Sequence, residues 1–323
     1  MREPLPHLLR RKAVETGLLP VGGAGRARVL MYHGIGENGC HRVNTRHLSR
    51  STLERHLRLL NAHCHVVSLD ALAAGERHPQ KLTVALTFDD GLRNNLTHAL
   101  PVLQAHRTPA TFFITGAARN GLRILWGDIL DLSERHTQRP LQVDGRQWRP
   151  NAAGRYALEG NGSLLRDHIK VTGGWGPKQE LYDQLADLVD GALQADRRYW
   201  ELMNDEDLRM LVKDPLFRLG SHGWWHNDMG RIPGPEVQDE LERSFAYLTE
   251  ICGSPPTSLA WPSGSWSPEA VRLAVDVGFS IQLAVDAVPP VHRALPLIDR
   301  FGMYELPVRD RWLLRLMADG ARP

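Results

Sequence analysis

Short apolar, β-rich runs recur along the chain, separated by stretches of helical periodicity. The runs are RVLMYH (28–33), HVVSLD (65–70), TVALTF (83–88), ATFFIT (110–115), FRLGSH (217–222), SLAWP (258–262) and FSIQLAV (279–285). Strands alternating with helices predict βα units and a mostly parallel sheet or barrel. Helix boundaries are marked as well. Ser51 with Glu54 forms a capping-box pattern before LERHLRLL, Asn204 stands as an N-cap before DEDLRMLVKD, and Ser267 followed by Pro268 opens a helix that Gly278 closes. Another helix is expected from Pro235 to Gly253.

The alternation fails once. About 100 residues separate ATFFIT from FRLGSH, including QRPLQVDGRQWRPNAAGRYALEGNGSLL, which is polar, glycine-rich and aperiodic. This stretch reads as an insertion over about 120–200, with helical pattern returning from Lys178 to Asp196. The expected organisation is an N-terminal extension (1–27), a barrel (28–310) that carries the insertion, and a C-terminal helix or tail (311–323). At 323 residues and 42% hydrophobic content, the chain can bury the core of one large α/β barrel or of two ordinary domains.

Charge narrows the partners. The 39 basic and 37 acidic side chains are interspersed, for a formal net charge of +2, and form no basic block that would follow a nucleic-acid backbone. Cys40, Cys64 and Cys252 make neither a disulfide framework nor a zinc ribbon. No apolar run approaches the roughly 20 residues of a transmembrane helix, and the arginine near the start is followed by no uninterrupted apolar segment of signal-peptide length before the charges resume. A cytoplasmic protein with no transmembrane segment is therefore expected. Leu8, Leu9, Arg10, Arg11 and Lys12 mix apolar and basic character and leave peripheral membrane contact open. Nothing in the sequence addresses oligomeric state.

Parallel α/β folds keep their chemistry where strands end. Here those ends carry His33, the Asp89–Asp90 doublet, SHGWWH with His222 and His226, and WPSG, which together would surround one mouth. Asp-Gly is a common turn dipeptide, so LTFDDG alone reads as a turn. With 15 histidines in the chain, an HxxxH spacing is close to chance, and the bland reading is two surface histidines beside buried tryptophans. Taken jointly, two imidazoles and one carboxylate form a three-ligand set that leaves a metal with open positions, and the second carboxylate is spare. Adjacent side chains of a regular strand point to opposite faces. A turn at Gly91 would let both acids address one site, one as ligand and one as base.

In this order and context, LTFDDG, SHGWWH and LAWPSG, with VLMYHGI upstream, resemble the NodB-homology polysaccharide deacetylases, carbohydrate esterase family 4, over roughly residues 28–310. The resemblance is weakest over 120–200. It implies a distorted (β/α) barrel of about seven strands with a long insertion. It also implies a metal-dependent hydrolase that removes an N-acetyl group from an amino sugar in a glycan, glycoconjugate or glycan precursor. Carried over by position, Asp89 becomes the general base, and Asp90, His222 and His226 become ligands of one divalent ion, usually zinc. Trp261, Pro262, Ser263 and Gly264 become the loop that lines the groove and offers a backbone N–H to the oxyanion. The RFGMYELPV stretch becomes the segment that closes the barrel, with Arg300 orienting the base. His33, Trp225 and His292 are further groove candidates.

Four departures from the family pattern bear on the substrate. Gly223 replaces the hydroxyl residue after the first ligand histidine, so the hydrogen bond that steadies that loop is absent or replaced by packing of Trp224 and Trp225. Ala260 and Ser263 replace an arginine and a tyrosine. No LxH motif supplies the general acid, for which His292 and His33 are the substitutes at hand. No export signal is seen, which suits a sugar nucleotide, small glycoside or lipid-linked intermediate better than an assembled polymer. Trp126, Trp148 and Trp175 of the insertion either stack on a sugar or pin the segment to the barrel. Two alternative functions are a catalytically silent carbohydrate-binding member and a deacylase of a non-sugar amide or an O-acetyl ester.

Overall fold

The structure, a computed structural model, describes residues 5–19, 22–39, 46–285, 295–304 and 310–319. The strands of three or more residues are β1 (Ala27–Tyr32), β2 (Cys64–Val66), β3 (Leu82–Phe88), β4 (Ala110–Ile114), β5 (Leu141–Val143), β6 (Arg146–Pro150), β7 (Tyr156–Leu158), β8 (Phe217–Ser221), β9 (Ser258–Ala260), β10 (Ile281–Ala284) and β11 (Leu297–Gly302). Seven of them form a closed parallel barrel in the order β1, β11, β10, β9, β8, β4, β3 and back to β1. The expected barrel is present, but its membership differs by one strand.

β2 lies outside the ring. β1 takes one edge of β3 over its length, while β2 (at Leu82–Val84) and β4 (at Leu86–Phe88) share the other. The ring is completed instead by β11, whose end Arg300–Gly302 begins the RFGMYELPV segment expected to close the barrel; it was not among the apolar runs because Asp299 and Arg300 interrupt it.

Alternation along the strands gives each face its task. Val29, Ala85, Phe113, Ala260 and Leu283 cluster together, while their neighbours Leu30, Leu86 and Phe112 pack with the helical residues Leu53, Leu57 and Val102. On this helix-facing side Tyr32, Phe88 and Phe112 are register partners whose rings stack at 5.1 and 5.0 Å. Burying one such ring stabilises the fold by roughly 1.5–3 kcal/mol. The outer layer thus fixes the register that sets which residue follows each strand into the mouth.

Helix ends follow the sequence signals, with one correction. Asn204 and Asp207 form a capping box, Ser267 caps Pro268–Val277 before Gly278, and Gly234–Cys252 ends on left-handed Gly253. The cap of Arg50–His63, however, is Ser49 rather than Ser51, its Oγ accepting from the Thr52 N–H at 3.0 Å. The helix begins two residues earlier than the capping-box pattern implied.

The insertion has a core of its own. β5, β6 and β7 form an antiparallel sheet that packs with the helices Trp126–His136, Leu165–Thr172 and Gly176–Asp190 around Trp126, Trp148, Tyr156, Leu181 and Leu185. Its strands are too short to show a period. Trp148 is fully buried and donates Nε1–H to the Val143 carbonyl at 3.1 Å, so this tryptophan pins the segment rather than meeting a ligand.

The two ends of the chain meet. The helix Leu5–Glu15 contacts the helix Asp310–Asp319, with Val14 buried, Arg311 Nε donating to its carbonyl at 2.9 Å, and Arg10 paired with Asp319 at 3.4 Å. Leu9 remains 59% exposed. Among the described residues, no helix is long and apolar enough to cross a membrane.

The cap assignment is testable by chemical denaturation. Ser49→Ala is expected to lower stability by about 1 kcal/mol, whereas Ser51→Ala should stay within roughly 0.5 kcal/mol of wild type.

Candidate active site

Asp89 continues the inward alternation of Ala85 and Thr87, and its N–H still bonds the Tyr32 carbonyl at 3.0 Å. An extended Asp90 would point the other way. It does not, because the backbone turns there: Asp90 has φ 76° and Gly91 has φ 70°. The turn read from Asp-Gly is real, and both acids end up buried, at 2% exposure each.

The two carboxylates have different surroundings. Asp89 Oδ1 accepts from Arg300 Nη1 at 2.7 Å, and the guanidinium reaches it from β11, seated over the Phe113 ring. Burial pushes the Asp89 carboxyl up, but Arg300, His222 and His33 together outweigh it and hold the group below the usual range. Asp90 Oδ1 faces His222 Nε2 at 3.5 Å and His226 Nε2 at 3.4 Å, and neither contact has hydrogen-bond geometry. For Asp90, burial acts upward and is overcome by the two histidines, Arg46 and His33, which leave it well below the ordinary value.

The histidines sit on a loop, not a helix. His222 follows β8 on the inward side, and its Nδ1 lies 2.7 Å from the Ala260 carbonyl, which fixes Nδ1 as the protonated nitrogen and leaves the Nε2 lone pair toward Asp90. The His226 backbone is left-handed at φ 55°. Donor atoms of Asp90, His222 and His226 lie within 4.8 Å of one another and all three residues are buried. Bonds of about 2.0–2.2 Å at tetrahedral angles would hold such atoms roughly 3.3–3.5 Å apart. Three buried donors that converge with no proton shared among them fit a divalent cation.

The loop between the histidines is held by a carboxylate. Glu240, buried on the helix Gly234–Cys252, accepts from Trp224 N–H at 2.6 Å, from Trp225 N–H at 3.1 Å and from Asn227 Nδ2 at 2.8 Å. This supplies what packing of the tryptophans was expected to supply. Gly223 is required beside it, since its φ is 72° and a Cβ there would lie 3.0 Å from Glu240 Oε2.

A cavity of about 650 Å³ runs from Asp90, His226 and Ser263 to the insertion, where Trp126, Asp128 and Arg155 are part of its wall. Ser263 has φ 53°, whereas Trp261 and Pro262 beside it are buried. Trp225 stacks on Trp175 of the insertion at 4.1 Å and 17°. His33 is buried near both acids, and burial followed by Arg46 lowers its pKa to about 3. His292 lies outside the described residues.

Sequence reasoning missed Arg46, Lys178 and Glu240. Lys178 shares the buried stripe of its helix with Leu181, Leu185 and Val189, and Glu240 shares one with Val237, Leu241 and Ser244. A charge on an apolar stripe was the available signal.

The chain matches the polysaccharide deacetylase family over residues 76–139 and 188–281. Those two stretches, on either side of the insertion, belong to that family. No curated protein sequence matches the chain. Among solved structures it is similar to the Streptococcus pyogenes deacetylase PplD in complex with acetate, at 14% identity and TM-score 0.54, covering 90% of this chain and 97% of that one. It is also similar to IcaB from Ammonifex degensii, at 18% identity and TM-score 0.54, covering 93% and 99%. A Bacillus cereus polysaccharide deacetylase, BC0361, matches at 16% identity and TM-score 0.54, covering 91% of this chain and 69% of that one. At these identities the likeness to solved structures is one of fold.

Restoring a hydroxyl residue at position 223 should therefore harm this chain. Gly223→Thr is expected to cost about 1–3 kcal/mol through the left-handed backbone and the approach to Glu240, as read by chemical denaturation.

Proposed function

We propose that the protein is a metal-dependent deacetylase that hydrolyses the N-acetyl group of an amino sugar within a glycan, a glycoconjugate or a precursor of one. The observation that carries this reading is the asymmetry of the doublet: Asp90 converges with His222 and His226, while Asp89 stands beside them on Arg300. A binding module has no use for a spare ionised carboxylate.

Asp90, His222 and His226 would hold one divalent ion, and two imidazoles with one carboxylate suit zinc. Bound there, it supplies Lewis acidity toward a carbonyl and lowers the pKa of water to about 7 in favourable zinc sites. Asp89 takes the proton of the attacking water, and Arg300 keeps that carboxylate ionised and aimed. Ser263 lines the cavity wall, and its backbone N–H would donate to the oxyanion, a kind of donor worth about 3–4 kcal/mol elsewhere. The cavity falls within the roughly 300–1,000 Å³ of small-molecule sites and so suits the end of a glycan or a short glycoside.

The test is acetate release from N-acetylated amino-sugar oligomers, run alongside metal analysis. Wild type should hold one divalent ion per chain and lose turnover on exhaustive chelation. Asp90→Ala and His222→Ala should lose the ion. Asp89→Asn should keep it while turnover falls about 10²–10⁴-fold. An ion bound with no acetate released from any sugar would turn the reading toward carbohydrate binding, and release that survives chelation would sink the metal dependence.

A further inference from the structure

The family match skips residues 140–187, yet part of that segment touches the loop that carries His226. Three contacts link them. Trp175 stacks on Trp225, the Gly173 carbonyl accepts from Asp228 N–H at 3.1 Å, and Lys178 reaches the backbone of His226 itself. Gly173 allows the close approach, since a Cβ there would lie 3.0 Å from Arg231 Cβ and 3.2 Å from the Asp228 carbonyl oxygen.

Lys178 is 1% exposed. A buried ammonium must find oxygen acceptors, and its Nζ donates to the His226 carbonyl at 2.9 Å, to Asn227 Oδ1 at 2.7 Å and to the Gly173 carbonyl at 3.4 Å. Asn227 passes the link on, donating Nδ2–H to Glu240 at 2.8 Å, and Glu240 holds the Trp224 and Trp225 N–H groups. One network thus joins the insertion helix Gly176–Asp190, the histidine loop and the helix Gly234–Cys252. Its centre is a residue in a costly conformation. His226 is left-handed at φ 55°, a state that costs on the order of 1–3 kcal/mol and persists only where neighbours over-determine it.

We propose that Lys178 is a positioning residue for the metal site: the insertion clasps the loop after β8 and holds His226 in the backbone conformation that turns its Nε2 toward Asp90. The inference rests on the metal reading given above, and it assigns to the segment outside the family match a role in building the family's own ligand set. Without the ammonium, the His226 carbonyl and Asn227 Oδ1 lose their donor in a buried place, and the loop relaxes toward ordinary backbone angles. Groups that orient metal ligands typically change affinity by about 10–100-fold.

The experiment is zinc affinity of the full chain, measured by competition with a chromophoric chelator, for wild type, Lys178→Met and Trp175→Ala. Lys178→Met keeps the length of the side chain and removes its donors. Trp175→Ala removes the stack at a half-buried position and guards against misfolding of the first variant. Near-UV circular dichroism of the metal-free proteins reports the fold. The expected result is native-like spectra with zinc held about 10–100-fold more weakly by Lys178→Met and several-fold more weakly by Trp175→Ala, before any substrate is added. A natively folded variant of either kind that binds zinc as wild type does would overturn the proposal. If wild type itself takes up no zinc, the metal reading falls and the clasp with it, a result distinct from equal affinities across the set.

Discussion

Two consecutive carboxylates buried at the mouth of a barrel repel each other and resist ionisation, and the site is organised around that constraint. At an effective dielectric constant near 20, unit charges about 4 Å apart interact by roughly 4 kcal/mol. Each acid therefore needs compensation, and each receives a different kind. Asp89 gets a fixed guanidinium from β11, and Asp90 gets imidazole nitrogens and the nearby Arg46. Because Arg300 sits on the strand that completes the ring, barrel closure and the charge state of Asp89 are one arrangement. The asymmetry that gives the pair its separate proposed roles follows from topology.

A second constraint is backbone strain. Of the five non-glycine residues with left-handed φ among the described residues, Asp90, His226 and Ser263 all reach the same cavity. Each such residue is held by surroundings that leave it no alternative. For Asp90 the hold is the β3 ladder ending at Asp89 and the turn through Gly91. For Ser263 it is the tight turn in which Gly264 N–H bonds the Trp261 carbonyl at 2.9 Å. For His226 it is a network anchored on two flanking helices. Strain concentrated where side chains converge is the pattern of a site built for geometry rather than for stability.

From hydrophobic pattern the barrel was legible wherever a strand was a continuous apolar run; where function interrupted the run, only the RFGMYELPV motif marked the closing segment. β11 carries Arg300 inward and so lost its hydrophobic signature, while HVVSLD kept the signature and lies outside the ring. The site was legible as motifs at strand ends, because turns, acids and histidines are local features. Lys178 and Glu240 showed only as charges on apolar helix stripes, and Arg46 carried no such mark, since the groups all three meet lie far along the chain. The insertion's core escaped notice for another reason: strands of three to five residues are too short for a period to show.

The absence of a hydroxyl residue at position 223 acquires a physical meaning from Glu240. A loop between two converging histidines needs its N–H groups bound, and any acceptor that reaches them will serve. Here the acceptor comes from the next helix rather than from the loop itself. That carboxylate needs the space a side chain at 223 would fill, and burial raises its pKa against the hydrogen bonds from Trp225 and Trp224 and the charge of Lys178. The glycine, the buried acid and the buried lysine are thus a single substitution spread over three elements. A departure from the motif that looks like loss when read along the chain is, in space, the same task moved to a different partner.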